Sequence, residues 1–489
     1  LPISYIAKQW VYDPTSDTLV QLAKFDPARW GDLAINGGTP GGIAPYTNDK
    51  ESSGVVDVTS FFPTLPGETM LLLAVQDHST NAAVATASTV EGGQLMLLKV
   101  SLSGAAPAPV SVQGPSSTRT PYLVPTANPG VVTNITSVAT TTDLVPLTGA
   151  PSSSYEVGGI PDGIGAYDNG NGTITVLINH ELGSGSGVVR RHGARGAYVE
   201  QLIVDKATLQ VLSGRDLIEN IVDAVGVVRN AANANGLALN RLCSADLPPV
   251  SAFFNAASGL GTTDRLFMNG EEGGATGYAF ASVATGPLAG TTYVLPKFNF
   301  ATNGSGINAV GGWENVLANP FAQDTTLVIG TNDGGTGVMT NSLSVYVGTK
   351  TNTGTPVDKA GLTNGQLYSV LVTGNPAEIV NTTTRATNIT SGTRFSLSST
   401  TSTVFSRPED GHWNPLNPRE FWFVTTDRLD TVTSGVANPT SGATGAAQVG
   451  VSRLWRLTFD DVSNPTSGGV IDLVINGVKS RSEEHTSEL

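Results

Sequence analysis

The stretch YVEQLIVDKATLQVLSG, residues 198–214, decides the predicted fold. The run VEQLIV at 199–204 is followed by a polar turn at Asp205-Lys206 and by a second run, LQVL, at 209–212. β-Branched residues favour the pleated backbone, and a short polar turn favours reversal of the chain. The stretch therefore predicts an antiparallel pair of strands.

The same strand–turn–strand unit recurs along the chain, at 10–22, 367–380 and 454–469. Many short strands at regular spacing are typical of β-sandwiches, barrels and propellers. For 489 residues a propeller is the economical choice, because its sheets pack around one channel and need no second core. The predicted fold class is all-β, a β-propeller with inserted loops and few short helices.

Composition divides the chain further. The segment 104–154 is rich in Ser, Thr, Pro and Ala, which predicts a linker or an extended segment between a block at 1–103 and a main body at 155–480. Residues 218–232 carry apolar side chains at roughly helical spacing and predict a helix. The last residues, 481–489, read RSEEHTSEL; they resemble a translated adapter and are excluded from the fold prediction.

The charge pattern excludes several classes of protein. The formal net charge is −14, and Arg190-Arg191 is the largest basic cluster, which argues against nucleic-acid binding. No run of 18 apolar residues predicts a membrane span. The single cysteine excludes a disulfide framework. Acidic excess fits a secreted protein that binds cations, and it also fits simple solubility.

The stretch RPEDGHW at 407–413 is the strongest candidate for a functional site. The planar guanidinium of Arg407 fits a phosphate or carboxylate edge, and the carboxylates of Glu409 and Asp410 suit hard cations. The alternative interpretation is a surface turn that contains an Arg–Asp pair.

Further carboxylates stand in turns or where strands end. Glu181 ends the strand that follows the turn Asp168-Asn169-Gly170, and Glu271-Glu272 lie between glycines. Glu314 has an amide neighbour, which also suits a calcium-type site. Each of these is also compatible with an ordinary acidic turn.

The only cysteine, Cys243, has two interpretations. A lone cysteine is usually a small buried apolar residue. As a thiolate it would instead bind a metal, with charged neighbours such as Arg241 and Asp246 close in sequence. The chain contains no P-loop, no His-Glu-x-x-His and no Gly-x-Ser-x-Gly motif.

Taken in order, these segments resemble the PhoX-type bacterial alkaline phosphatases. The matching pieces are DGIGA (162–166), NHEL (179–182), HGA (192–194), NRLCSADL (240–247), NGEE (269–272), WEN (313–315), KAGL (359–362) and RPEDG (407–411). The resemblance implies an exported β-propeller that hydrolyses phosphate monoesters with a cluster of ferric iron and calcium, including a bridging oxo group.

The resemblance also implies roles for individual residues. Cys243 would be the thiolate ligand of iron, and Arg407 would hold the substrate phosphate. Carboxylate ligands would come from the remaining positions, with Asp246 as a possible further ligand: Glu181, Glu271 or Glu272, Glu314 and Glu409.

The order of segments departs from that family. Residues 46–56 and 71–98 resemble its C-terminal part, although they stand near the start of this chain. A fragment of a tandem array and a circular permutant both fit this order. We expect the block 1–103 to dock on the propeller where the C-terminal part belongs.

The resemblance further implies a periplasmic or secreted monomer that acts on small phosphate esters. Two other functions fit the acidic loops. A non-catalytic, calcium-stabilised surface propeller would need neither Cys243 nor Arg407. A propeller esterase or lactonase would act on carboxylic esters without iron.

Overall fold

A computed structural model describes most of the chain. The described residues are 8–14, 16, 18–31, 42–47, 49–101, 110–126, 131–273, 276–298, 312–333, 342–380, 386–426 and 450–479. They belong to two compact units, one within 1–217 and the other within 218–481.

The described part of the first unit consists of three sheets. Their strand orders are β1-β2-β7, β3-β4-β5-β8-β6 and β10-β9-β14-β13-β12-β11. The strands are β1 Lys8–Asp13, β2 Thr18–Phe25, β3 Lys50–Asp57, β4 Glu68–Asp77, β5 Gly92–Ser101, β6 Val110–Gln113, β7 Leu123–Pro125, β8 Val132–Thr140, β9 Leu144–Leu147, β10 Ala150–Glu156, β11 Pro161–Asp168, β12 Thr173–His180, β13 Tyr198–Asp205 and β14 Val211–Asp216.

The hairpin of β13 and β14 forms where the sequence predicts it. The carboxylate of Asp205 accepts hydrogen bonds from the backbone N–H groups of Ala207 and Thr208, at 3.0 and 2.8 Å. An aspartate that bonds its own turn in this way fixes the reversal of the chain. Leu202 and Val204 then point into an apolar core shared with Leu72 of the preceding sheet.

The second unit consists of a six-stranded sheet, a two-stranded ribbon and a nine-stranded sheet. Their orders are β16-β15-β22-β21-β20-β17, β18-β19 and β23-β24-β25-β26-β27-β31-β30-β29-β28. The strands are β15 Asn220–Val222, β16 Val228–Arg229, β17 Leu242–Asp246, β18 Phe254–Asn255, β19 Leu260–Gly261, β20 Leu266–Glu271, β21 Ala279–Val283, β22 Thr291–Val294, β23 Gly312–Ala318, β24 Thr325–Asp333, β25 Leu343–Thr349, β26 Gln366–Val372, β27 Thr393–Ser398, β28 Pro408–Trp413, β29 Glu420–Thr425, β30 Gly450–Phe459 and β31 Gly469–Lys479.

The two ends of the nine-stranded sheet approach each other, because β28 packs beside β23 and β24. On the other side, β23 packs against β17 and β20 of the six-stranded sheet. The core between these sheets contains Met268, Trp313 and Tyr346. A second core, rich in aromatic rings, lies inside the nine-stranded sheet around Trp413 and Trp455. This packing brings the starts of β23 and β28 close to β17.

Helices are few among the described residues. The α-helices are α1 Pro27–Trp30 and α2 Pro356–Lys359, and none of the described helices is long and apolar enough to cross a membrane. Most neighbouring strands in these sheets are antiparallel and follow one another in the chain, as strands of propeller blades do. The all-β prediction is confirmed, and the meander sheets are consistent with a propeller-like fold.

Two predictions of local structure are wrong. Instead of a helix, 218–232 contains the paired strands β15 and β16, because β-branched residues favour strands and the Asp223 carboxylate accepts backbone N–H groups in the turn between them. The segment 104–154 is not a linker, since its described residues form β6 to β9 and most of β10 and pair within two sheets. Its Ser and Thr residues therefore belong to paired strands. Their abundance alone had favoured a segment without such pairing.

The boundary between the two units therefore falls near residue 217 and not within 104–154. Within the first unit, the block 1–103 packs against later residues, since Leu72 and Leu95 share a core with Ile164 and Ile174. Whether that block completes a propeller stays a prediction. The adapter-like tail at 481–489 lies outside the described residues.

Candidate metal centre

Three potential metal ligands converge in the second unit. Sγ of Cys243 on β17 lies 3.2 Å from a carboxylate oxygen of Glu272, which follows β20. Together with Glu314 on β23, each offers one ligand atom, and these atoms lie within 4.8 Å of one another. The thiol is buried and both carboxylates are half-buried. We call these three residues the Cys243 group.

Glycine makes this convergence possible. A Cβ atom added at Gly270 would lie 2.2 Å from Cβ of Trp313, and one added at Gly312 would lie 2.6 Å from Cα of Glu272. Both distances are too short for any side chain. The glycines therefore let β20 and β23 approach closely enough to bring Glu272 and Glu314 to the thiol.

Polar side chains connect the Cys243 group to β28. Oγ of Ser244 lies 3.1 Å from carboxylate oxygens of both Glu314 and Asp410. The side-chain amide of Asn315 donates to Asp410 at 2.8 Å. Burial raises the pKa of Asp410, and the bonds from Asn315 and Ser244 oppose that shift. Asp410 of RPEDGHW thus lies beside the Cys243 group.

Arg407 lies between two carboxylates. Its guanidinium is 2.6 Å from Glu409 and 3.1 Å from Asp333. The Thr426 hydroxyl also donates to Glu409 at 2.8 Å. Burial raises the pKa of Glu409; the charge of Arg407 lowers it, while the charges of Asp333 and Glu272 raise it further.

The backbone is strained at both arginines of the site. Arg241 and Arg407 have φ of 47° and 48°, in the left-handed region that residues other than glycine rarely adopt. Nε of Arg241 donates to Glu272 at 3.0 Å. Such conformations persist only where surrounding contacts impose them, and they cluster at functional sites.

Two predicted ligands of the second unit, Glu271 and Asp246, bond backbone groups outside the Cys243 group. Both carboxylate oxygens of Glu271 accept backbone N–H groups, from Asn240 at 2.9 Å and from Tyr278 at 3.1 Å, and burial raises its pKa. Glu271 therefore holds two loops together. Asp246 accepts the N–H of Ala318 at 2.8 Å, at the far end of β17.

Glu181 belongs to the first unit, where it lies beside Asp162. The side-chain amide of Gln76 donates to both carboxylates, at 3.0 Å each. Sequence reasoning missed the bridging roles of Gln76 and Ser244. Their signal is position, since Gln76 lies within the matching stretch 71–98 and Ser244 directly follows Cys243.

A second buried polar cluster lies in the first unit. The Arg190 guanidinium lies 3.6 Å from the ring centroid of Tyr198, and the His180 ring stacks on Tyr198 at 4.4 Å. Glu200 is 3.6 Å from His180, and Asp216 is 3.8 Å from Arg190. We call these five residues the Tyr198 stack.

The site in the second unit combines cation ligands with an anion-binding group. Carboxylates outnumber guanidinium groups among its described members: Glu272, Glu314, Asp333, Glu409 and Asp410 against Arg241 and Arg407. A sulfur and several oxygens crowded together favour a bound cation, because like charges repel unless a cation lies between them. The arrangement can therefore bind a metal ion and an anionic substrate side by side.

Comparison with known proteins adds two distant structural likenesses. Neither a family model nor a curated protein matches the chain. A candidate glycosidase from Bacteroides thetaiotaomicron is similar over 87% of this chain and 90% of its own, with 11% identity and a TM-score of 0.32. A candidate glycoside hydrolase from Parabacteroides distasonis is similar over 87% and 88%, with 9% identity and a TM-score of 0.29. Likenesses this weak carry no argument about function.

Proposed function

We propose that the protein is a phosphomonoesterase of the alkaline phosphatase type that uses a metal-assisted mechanism. The observation that carries the proposal is the convergence of the Cys243 thiol with Glu272 and Glu314, beside the Arg407 guanidinium. Metal ligands and a fork that fits phosphate are the two parts that phosphoryl transfer requires. A small phosphate ester is the proposed substrate, and export from the cytoplasm is part of the proposal.

The donor set fits the proposed metals. A thiolate with carboxylates suits a transition metal such as ferric iron, with Cys243, Glu272 and Glu314 as ligands. Carboxylate oxygens such as those of Glu409 and Asp410 suit calcium. When bound, such ions offset the charge of phosphoryl oxygens and supply a nucleophile near neutral pH.

Arg407 would orient the phosphate and stabilise the charge that develops on its equatorial oxygens. Its guanidinium already contacts Asp333 and Glu409. Substrate binding must therefore share or exchange these contacts. A divalent or trivalent cation beside Glu409 would compete for that carboxylate and leave more of the guanidinium for phosphate.

The test pairs metal analysis with a phosphatase assay. The purified protein should contain iron and calcium, hydrolyse p-nitrophenyl phosphate and lose that activity in chelator. Cys243→Ser and Glu314→Gln should lose iron and activity together. Asp461→Asn removes an exposed carboxylate from a turn and serves as the control. Full activity of Cys243→Ser, or a protein without metal that remains active, would overturn the proposal.

A non-catalytic cation-binding protein is the second candidate. The observation that favours it is the ion pairing of Arg407 with two carboxylates. A guanidinium that is already paired within the protein can have a structural role and needs no substrate. This candidate predicts bound calcium, a higher melting temperature with calcium and no turnover of phosphate or carboxylic esters.

A further inference from the structure

A cleft with a volume of about 480 Å³ lies in the second unit, away from the Cys243 group. Its walls are mainly apolar and include Leu247, Pro249, Phe321 and Trp413. Asp246 contributes a carboxylate to the lining. The volume is in the range of sites that bind small molecules.

The cleft and the Cys243 group lie at opposite ends of the same strands. At one end, Ser244 contacts Glu314 and Asp410. At the other end, the carboxylate of Asp246 accepts the N–H of Ala318 at 2.8 Å. Since a strand rises by about 3.3 Å per residue, the two sites are on the order of 10 Å apart.

Among the described residues, the side chains that line the cleft include a carboxylate but no lysine or arginine. The exposed His412 is the only other titratable side chain among these described lining residues. Burial raises the pKa of Asp246 to about 7, and the hydrogen bond from Ala318 lowers it. A carboxylate among apolar groups is costly to keep charged, and a cation would relieve that cost.

Phe321 adds an aromatic surface. It lines the cleft and is half-buried, so part of the side chain is accessible. Aromatic rings attract organic cations through their faces, most strongly where water is partly excluded. A carboxylate together with an accessible aromatic ring is a combination that recognises an ammonium group with an apolar body.

We propose that this cleft binds a small organic ammonium ion, with the ammonium group at Asp246 and the apolar part against Phe321 and the proline-rich wall. The site is separate from the proposed metal centre and needs no bound metal. Asp246 is then a ligand-binding residue, in contrast to the metal-binding role that the sequence resemblance suggested.

Calorimetric titration with 2-phenylethylammonium tests the proposal, and 2-phenylethanol is the neutral control of the same shape. The ammonium ion should bind roughly tenfold more tightly than the alcohol, because a charged hydrogen bond adds about 1.5 kcal/mol or more. Asp246→Asn should abolish this preference, and Asp461→Asn should preserve it. The affinities should be the same with and without chelator, so failure of the phosphatase proposal would leave this result unchanged.

Equal affinity for the two compounds, or an unchanged preference in Asp246→Asn, would overturn the proposal, as would the absence of binding by either compound. If circular dichroism shows that Asp246→Asn does not fold, Phe321→Ala takes its place. That variant should weaken binding of the ammonium ion several-fold, since the contact between the cation and the aromatic ring is lost. Undiminished binding there would also contradict the proposed site.

Discussion

The two units each bury a polar cluster, and the clusters differ in how their charges are compensated. In the Tyr198 stack, each carboxylate faces a base: Glu200 lies near His180, and Asp216 lies near Arg190. In the Cys243 group, a thiol and two carboxylates face one another. The guanidinium of Arg241, which pairs with Glu272, is half exposed.

This difference is why we propose a ligand site at the Cys243 group and a structural role for the Tyr198 stack. Removing one partner from a buried polar pair leaves the other uncompensated, so the folded chain depends on both partners without any added ion. Negatively charged metal ligands repel one another at short distance, and a bound cation offsets that repulsion. Substitutions in the Tyr198 stack should therefore change stability alone, whereas those around the Cys243 group should change metal content and activity.

The largest expected effect is that of Arg190→Ala. Its guanidinium contacts the Tyr198 ring, donates to the carbonyl of Ser88 at 2.9 Å and lies near Asp216. Removing it leaves Asp216 without that nearby charge, so the free energy of unfolding should fall by about 3–5 kcal/mol. Urea denaturation measures this change. The exposed Arg191→Ala is the control, and an equal loss there would contradict the assignment.

Arg407→Ala should reduce catalysis, and it should also lower stability, because Asp333 and Glu409 lose the guanidinium that lies between them. By analogy with the removal of oxyanion donors, we expect a loss of about 2–4 kcal/mol in transition-state stabilisation. The measurement is kcat/KM for p-nitrophenyl phosphate, with metal content determined on the same sample. If kcat/KM is unchanged, the role of Arg407 is structural, like the role that we propose for the Tyr198 stack.

His192, buried beside the Tyr198 stack, should make stability depend on pH. Burial lowers its pKa from 6.5 to about 4, Asp216 raises it and Arg190 lowers it. The folded protein therefore holds the neutral ring. The stabilisation is complete above pH 6.5, and up to about 3 kcal/mol is lost as the pH falls from 6.5 toward 4.

His192→Gln should flatten this part of the pH profile, measured by urea denaturation at a series of pH values. The exposed His412→Gln is the matched control and should keep the wild-type profile. If the free energy of unfolding of His192→Gln falls with decreasing pH as steeply as that of the wild type, other groups cause the acid sensitivity.

The smallest expected effect is that of Tyr198→Phe. The Tyr198 hydroxyl is buried and has no hydrogen-bond partner among the described residues. Its removal should change the free energy of unfolding by no more than about 1 kcal/mol, in either direction. Tyr155→Phe is the control, because its hydroxyl donates to Asp216 at 2.9 Å and its loss should cost more. A larger loss for Tyr198→Phe than for Tyr155→Phe would show that the hydroxyl has a partner.

The sequence predicted strands well where local chemistry decides them. The hairpins at 198–214 and at the turn that follows Asp168 carry their own turn residues, so no distant contact is needed. It failed at 104–154, where pairing with remote strands decides the structure. Val132–Thr140, for instance, lies between β5 and β6, and no local pattern specifies such partners. The prediction also failed at 218–232, where the helical spacing of apolar residues was misleading and a local turn at Asp223 pairs two strands.

The candidate site was predictable in part. The types of residue suggested Cys243, Glu272 and Glu314, and the structure brings their side chains together. The sequence could not separate Glu271 from Glu272, because neighbouring strand residues point to opposite faces and only the register decides which faces the thiol. It also could not place Asp246, whose position depends on how β17 lies against β23.

Strand β31 lies between two strands of the nine-stranded sheet that are synthesised before it. These are β27, which ends at Ser398, and β30, which directly precedes β31. A nascent chain that has not yet emerged to residue 469 would therefore present β27 and β30 as open edges, each ready to pair with another molecule. During synthesis, this stretch of the polypeptide is where a chaperone would protect the protein most from aggregation.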